Sequence, residues 1–174
     1  GRCCRFDESD ARALGRTASG VRGINIDEDD EVIGMIIYDP SAEDAAAHSI
    51  LVVSEHGFGK RTPFEDYRLT SRGSKGVKTL NITDKTGKVV ALKNVTEEND
   101  LMIITQSGLT IRMSVSDIRE AGRATQGVKL INLRDNDSIA SVTVVPKEEA
   151  PAETPVEEGQ GEGAAQTSEA PVEA

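Results

Sequence analysis

Gly57-Phe58-Gly59-Lys60-Arg61-Thr62-Pro63-Phe64-Glu65-Asp66-Tyr67 opens a stretch, residues 57–82, that this chain carries three times. An earlier copy starts at Gly1 and a later one at Gly108, and the three align without a gap. Arg5, Arg61 and Arg112 share a column, as do Asp10, Asp66 and Asp117. Arg12, Arg68 and Arg119 follow, then Arg16, Arg72 and Arg123. Each copy goes on through Gly20-Val21, Gly76-Val77 or Gly127-Val128 to a basic residue (Arg22, Lys78, Lys129) and an asparagine (Asn25, Asn81, Asn132). A period of about 50 residues is the mark of a repeat architecture, not of one irregular domain.

Each repeat reads as four strands. In the last copy, residues 101–105 are aliphatic and β-branched, Gln106-Ser107-Gly108 supplies turn chemistry, and residues 109–115 alternate around Ile111, Met113 and Val115. The counterpart at 58–64 contains Pro63, which predicts a strand end or an edge. A polar loop, 117–126, then leads to a third strand in which Ile131 and Leu133 alternate with Asn132. Acidic and amide-rich turns at 27–30, 84–87 and 135–137 precede a fourth strand at 32–37, 89–92 and 139–145. Helical periodicity is nowhere sustained. The expected fold is all-β: propeller-like repeats of four-stranded blades, about three of them. The expected layout is a partial blade at 1–49 without its first strand, blades at 50–100 and 101–145, and a disordered acidic tail at 146–174.

The 174 residues have a formal net charge of −10, and residues 146–174 hold eight glutamates against one lysine. Most of the negative charge therefore belongs to the tail, and the overall balance conceals the basic loops of the repeats. No apolar run approaches the ~18 residues of a membrane-spanning helix. The start, Gly1-Arg2-Cys3-Cys4, is neither an initiator methionine nor a signal peptide. Copies two and three are each preceded by an apolar run that copy one lacks, so the chain is expected to be a C-terminal fragment cut within a repeat. Cys3 and Cys4, adjacent and without metal-spaced histidines, are expected to be reduced cytosolic thiols.

Chemistry concentrates in the loops before the third strands. Arg16, Arg72, Lys75 and Arg123 stand among small polar residues that let a backbone approach a ligand and offer hydroxyls and amides to phosphate oxygens. Equivalent basic loops on successive blades form a curved stripe suited to duplex binding through counterion release. Within the strands, Arg5, Arg61 and Arg112 are expected to lock each blade by pairing with the repeated aspartates. Gly20, Gly76 and Gly127 are assigned to positive φ before phosphate contact. Aromatic residues (Phe6, Tyr38, Phe58, Phe64, Tyr67) are too few for a single-strand stacking platform. No Gly-x4-Gly-Lys-Ser/Thr loop and no nucleophile–base pair is present, so the chain itself is expected to be non-catalytic and to bind no metal or cofactor.

The quoted stretch, with Ser71-Arg72-Gly73-Ser74-Lys75-Gly76-Val77 and Gly122-Arg123-Ala124-Thr125-Gln126-Gly127-Val128, closely resembles the last blades of the C-terminal domain of the DNA gyrase A family. The acidic tail fits as well. The resemblance implies a six-bladed β-pinwheel whose blades exchange strands and whose basic rim wraps duplex DNA. It implies a parent that is an ATP-dependent type II topoisomerase introducing negative supercoils in the bacterial cytoplasm. That parent works as a heterotetramer with gyrase B and a second gyrase A, and uses ATP and Mg2+. Carried over by position, the rim residues are Arg16, Lys60, Arg72, Lys75 and Arg123, then Arg12, Arg68, Arg119, Lys78 and Lys129. The family's catalytic tyrosine lies in the N-terminal part of gyrase A, which excludes Tyr38 and Tyr67, and the first-blade gyrase box is absent. The corresponding component of topoisomerase IV is the near alternative; a propeller acting as a protein-interaction scaffold is the distant one.

Overall fold

The computed structural model describes residues 1–134 and 136–148. Among the described residues nine strands run in chain order: β1 (Arg2–Cys3), β2 (Ser49–Ser54), β3 (Phe58–Pro63), β4 (Val77–Lys78), β5 (Val89–Val95), β6 (Asn99–Thr105), β7 (Thr110–Ser114), β8 (Val128–Lys129) and β9 (Ile139–Pro146). All ladders between them are antiparallel. Short 3-10 turns follow the second strand of a repeat, at Phe64–Asp66 and Val115–Asp117. Pro63 ends its strand, as an imide without a ladder donor should.

The sheets have the orders β5-β2-β3-β8, β7-β6-β9 and β1-β4. A blade is therefore not one contiguous repeat. The fourth, first and second strands of a repeat pair together, and the outer place is filled by the third strand of the following repeat. Phe58 and Gly59 stand opposite Lys129 and Val128. One repeat earlier Arg2 and Cys3 stand opposite Lys78 and Val77. This corrects the reading of four consecutive strands as one sheet, and it matches the strand exchange that the resemblance implied. The third strand is also shorter than its alternation suggests. Only two residues of it pair; Leu80 and Ile131 beyond them are buried by packing rather than by a ladder.

β2 explains why the strand that opens a blade is aliphatic throughout. All six of its residues are buried, because the sheet is covered on both faces. Leu51 and Val53 join Ala91, Leu101, Ile103, Val115, Ile118, Ile131 and Val142 in a core between the second and third blades. Ile50 and Val52 join Phe64, Tyr67 and Leu80 in a core toward the first. At about 1.5–3 kcal/mol for each fully buried aliphatic side chain, these contacts outweigh the weak local preferences of such short strands.

Residues 32–37 form no strand. In the other repeats the fourth strand pairs with the first strand of its own repeat; among the described residues no such strand stands beside residues 32–37. Val32, Met35 and Ile37 are left 63%, 82% and 80% exposed, although Ile36 and Tyr38 still pack on the second core. Of the predicted acidic turns, Asp135 lies outside the described residues. The predicted disorder of the tail also falls, from residue 149 onward, outside them; Pro146 ends β9.

Candidate nucleic-acid interface

Sheet order decides where the repeated loops lie. The fourth strands gather on one side: β5 packs against β9, and a cleft is lined by residues 33–37, 90–94 and 140–142. In the sheet β5-β2-β3-β8 the third strand occupies the opposite edge. The loops that enter β4 and β8, with Lys78 and Lys129 on those strands, therefore stand at the outer edge of their blades. Both lysines are exposed, as are Arg12, Arg16, Arg68, Lys75 and Arg119. Arg22 belongs with them. It is exposed and occupies the column of Lys78 and Lys129, a signal the alignment of copies already carried.

Arg72 and Arg123 are half-buried because each ties two repeats together. Arg72 donates from Nη1 to the Arg22 carbonyl (2.6 Å) and from Nε to the Asp10 carbonyl (3.0 Å). Arg123 donates from Nη1 to the Lys78 carbonyl (3.1 Å), the same contact one repeat on. A guanidinium has five donors, so each of these keeps donors for a second acceptor. Lys75 reaches Asp27 at only 3.9 Å between two well-exposed groups, a pair of little strength.

Lys60 corrects the carried-over list. It is fully buried, and its ammonium donates to the carbonyls of Gly122 (2.7 Å), Arg123 (2.5 Å) and Thr125 (3.3 Å) and to Thr125 Oγ1 (3.2 Å). A cation committed in this way has no surface to offer a ligand. Burial pushes its pKa down to about 8, with the Arg123 charge adding to the fall and Asp66 opposing it.

The strand arginines do lock blades, but not through the repeated aspartates. Arg5 donates to the carbonyls of Phe64 (2.9 Å) and Tyr67 (3.1 Å) in the next repeat. Arg61 donates to the Ile118 carbonyl (2.7 Å) and pairs with Glu97 (3.1 Å). Arg112 pairs instead with Asp100 (2.9 Å) and Glu148 (3.1 Å), and that guanidinium holds the Asp100 carboxyl below the usual range. Among the described residues Asp10, Asp66 and Asp117 are exposed and enter no ion pair. A carbonyl presented by a 3-10 turn is the better partner, because it sits inside the blade junction where a carboxylate would have to be desolvated.

Gly76 and Gly127 have φ of +67° and +79°. A Cβ on Gly127 would lie 2.5 Å from the Gly59 carbonyl oxygen, and one on Gly76 would crowd that of Cys3 in the same way. The glycines thus serve the backbone crossing between blades. Phe58, Phe64 and Tyr67 are buried and Tyr38 stacks on Phe64, which leaves no row of bare aromatic faces on this edge. Among the described residues no group of three or more His, Cys, Asp or Glu side chains is placed to hold a metal. What the edge can do is neutralise and hydrogen-bond a polyanion.

Comparison with known proteins gives the same direction. The family model described as the DNA gyrase C-terminal domain, a beta-propeller, matches residues 1–39, 48–96 and 99–146. Over 150 residues the chain is 51% identical to DNA gyrase A of Staphylococcus aureus strain NCTC 8325, covering 86% of this chain and 16% of that protein. It is 50% identical over 149 residues to the same protein of strain MRSA252, with equal coverage. A solved DNA gyrase A C-terminal domain superposes with a TM-score of 0.71 at 27% identity, over 83% of this chain and 47% of that one. The C-terminal domain of DNA topoisomerase IV superposes with a TM-score of 0.74 at 23% identity, over 84% and 44%, a likeness of fold alone. The chain spans 16% of the length of the curated relatives it matches.

Proposed function

The chain belongs to the DNA gyrase C-terminal domain family, and from this membership we propose that its outer edge binds duplex DNA and bends it around the blades. The observation that supports the reading most is the recurrence of one construction. In successive repeats an arginine, Arg72 or Arg123, is anchored through part of its guanidinium at the junction of two blades, at the edge that the third strands occupy. Arg16, Arg72, Lys75 and Arg123 make the main contacts. Arg12, Arg68, Arg119, Lys78 and Lys129, joined by Arg22, extend the stripe. Such a surface reads backbone phosphate, not base sequence.

The same reading makes the longer protein the gyrase A component of a type II topoisomerase that introduces negative supercoils at the expense of ATP. It works with a second gyrase A and with gyrase B, near the bacterial nucleoid, and its ATP and Mg2+ are held elsewhere in the assembly. The blades here supply the wrapped segment. The acidic tail competes with phosphate for the rim.

Binding of the chain to a duplex of arbitrary sequence across a salt series tests this. Each phosphate neutralised contributes about −0.9 to the log–log slope. A slope of several ions, reduced when Arg72, Lys75 and Arg123 are changed to glutamate, is the expected result. A folded sample with no salt-dependent binding overturns the proposal and returns the arginines to a purely structural role.

A further inference from the structure

The loop entering β8 is built around a buried charge. The carbonyls of Gly122, Arg123 and Thr125 converge on the Lys60 ammonium. In a planar trans peptide the carbonyl of one residue and the amide of the next point in opposite directions. Turning these three carbonyls inward therefore turns the N–H groups of Arg123, Ala124 and Gln126 outward. Among the described residues none of the three amides donates a hydrogen bond.

The preceding repeat provides an internal contrast. There the position of Lys60 is held by Cys4, a neutral thiol beside Ser74 Oγ (3.0 Å) and the Ser71 carbonyl (3.8 Å). The amide equivalent to that of Ala124 belongs to Gly73, and it donates to the Gly23 carbonyl (2.7 Å). Where the ammonium is missing, that amide is spent inside the fold. Where it is present, the Ala124 amide donates to no group among the described residues.

We propose that Lys60 is a positioning residue that makes the 122–126 loop a phosphate cradle, in which the backbone amides of Arg123, Ala124 and Gln126, with the remaining donors of the Arg123 guanidinium, receive one backbone phosphate of the duplex. This rests on the DNA-binding reading above. Lys60 never touches the phosphate. Its charge holds the carbonyls in, and outward amides form an anion-binding concavity.

The test uses the whole chain, labelled for amide resonances, with Lys60→Met as the variant. Cys4 and Ile111 occupy the same column in the other copies, so an uncharged side chain fits the frame. With a short duplex, the amides of Arg123, Ala124 and Gln126 shift in the wild type. In Lys60→Met those shifts are lost and affinity falls about tenfold, the worth of one charge-assisted hydrogen bond, while the salt slope is unchanged. A slope reduced by about 0.9 would mean that Lys60 itself meets phosphate, and would overturn the proposal. Unchanged affinity and unchanged amide shifts would overturn it too. If Lys60→Met does not fold, Cys4→Lys carries the test, since it should free the Gly73 amide and tighten binding; no change at Gly73 sinks the idea. Should the wild-type chain ignore duplex DNA, the reading beneath has failed. Titration with inorganic phosphate then decides the cradle alone, by shifts at the same three amides or by their absence.

Discussion

Arg61 Nε donates to the Ile118 carbonyl at 2.7 Å, joining the second strand of one repeat to the 3-10 turn of the next. One repeat earlier Arg5 reaches the corresponding carbonyl, that of Tyr67, from Nη1 at 3.1 Å. The Arg61 side chain is nearly buried while its acidic partner, Glu97, is 65% exposed. The carbonyl bond and the ion pair thus contribute unequally, because a well-solvated carboxylate gains little from pairing. Arg61→Met should lower stability by about 2 kcal/mol, the cost of orphaning a buried carbonyl that had a charged donor. Glu97→Gln should cost under about 0.5 kcal/mol. Urea unfolding of the two variants measures both, and equal losses would place the lock in the ion pair instead.

Gly127 and Gly20 share a column and a positive φ, +79° and +81°, yet their surroundings differ. A Cβ on Gly127 would meet the Gly59 backbone at 2.5 Å, whereas nothing lies within 4 Å of one on Gly20. Gly20→Ala should therefore cost only the left-handed penalty, about 1–2 kcal/mol. Gly127→Ala must in addition push two blades apart and should lose several times as much, or fail to fold. Gly122→Ala, with open space and no positive φ, should be nearly silent. Thermal midpoints of the three variants rank the effects.

The repeat frame was legible because the groups that join blades recur in sequence. The arginines of the second strands and the glycines before the third strands hold the same columns in each copy. Strand exchange was not legible from alternation. Val128 and Lys129 have the same pattern whichever sheet they join, and only the path of the chain sets them opposite Phe58 and Gly59. Residues 32–37 have a strand's composition, but composition supplies no partner. Lys60 was misplaced for a related reason. A lysine in a polar run reads as solvated, and what buries this one is a set of carbonyls more than sixty residues away.

Arg72 and Arg123 should show two separable effects. Each spends part of its guanidinium on a carbonyl of the preceding repeat and keeps other donors for phosphate. Replacement by lysine preserves the charge but not the fork. Arg123→Lys should thus keep most of the salt slope while losing about 0.5–1.5 kcal/mol of stability with the carbonyl bond. Arg123→Gln should lose about 0.9 of the slope as well. Binding isotherms at three salt concentrations, paired with urea midpoints, separate the two; a slope unmoved by Arg123→Gln would confine this residue to the blade junction.

Lys60 should give stability and DNA binding different pH dependences. Its pKa falls from the ordinary 10.5 to about 8, chiefly through burial. Between those values the unfolded chain holds a proton that the folded chain has released. This residue's contribution to stability is therefore fully present above 10.5 and is lost as pH falls through about 8. Loop geometry moves the other way. A neutral amine donates two hydrogen bonds where the ammonium donated three, and the cup of four oxygens is held more weakly. Arg123 and Asp66 are the charges that bear on the group, the first lowering its pKa and the second raising it. Raising pH from 7 to 9 should thus weaken duplex binding severalfold with no matching loss from Lys60 in the urea midpoint, and Lys60→Met should abolish the step in binding. A parallel fall of both quantities in the wild type, or a step that survives in Lys60→Met, would place the titrating group elsewhere.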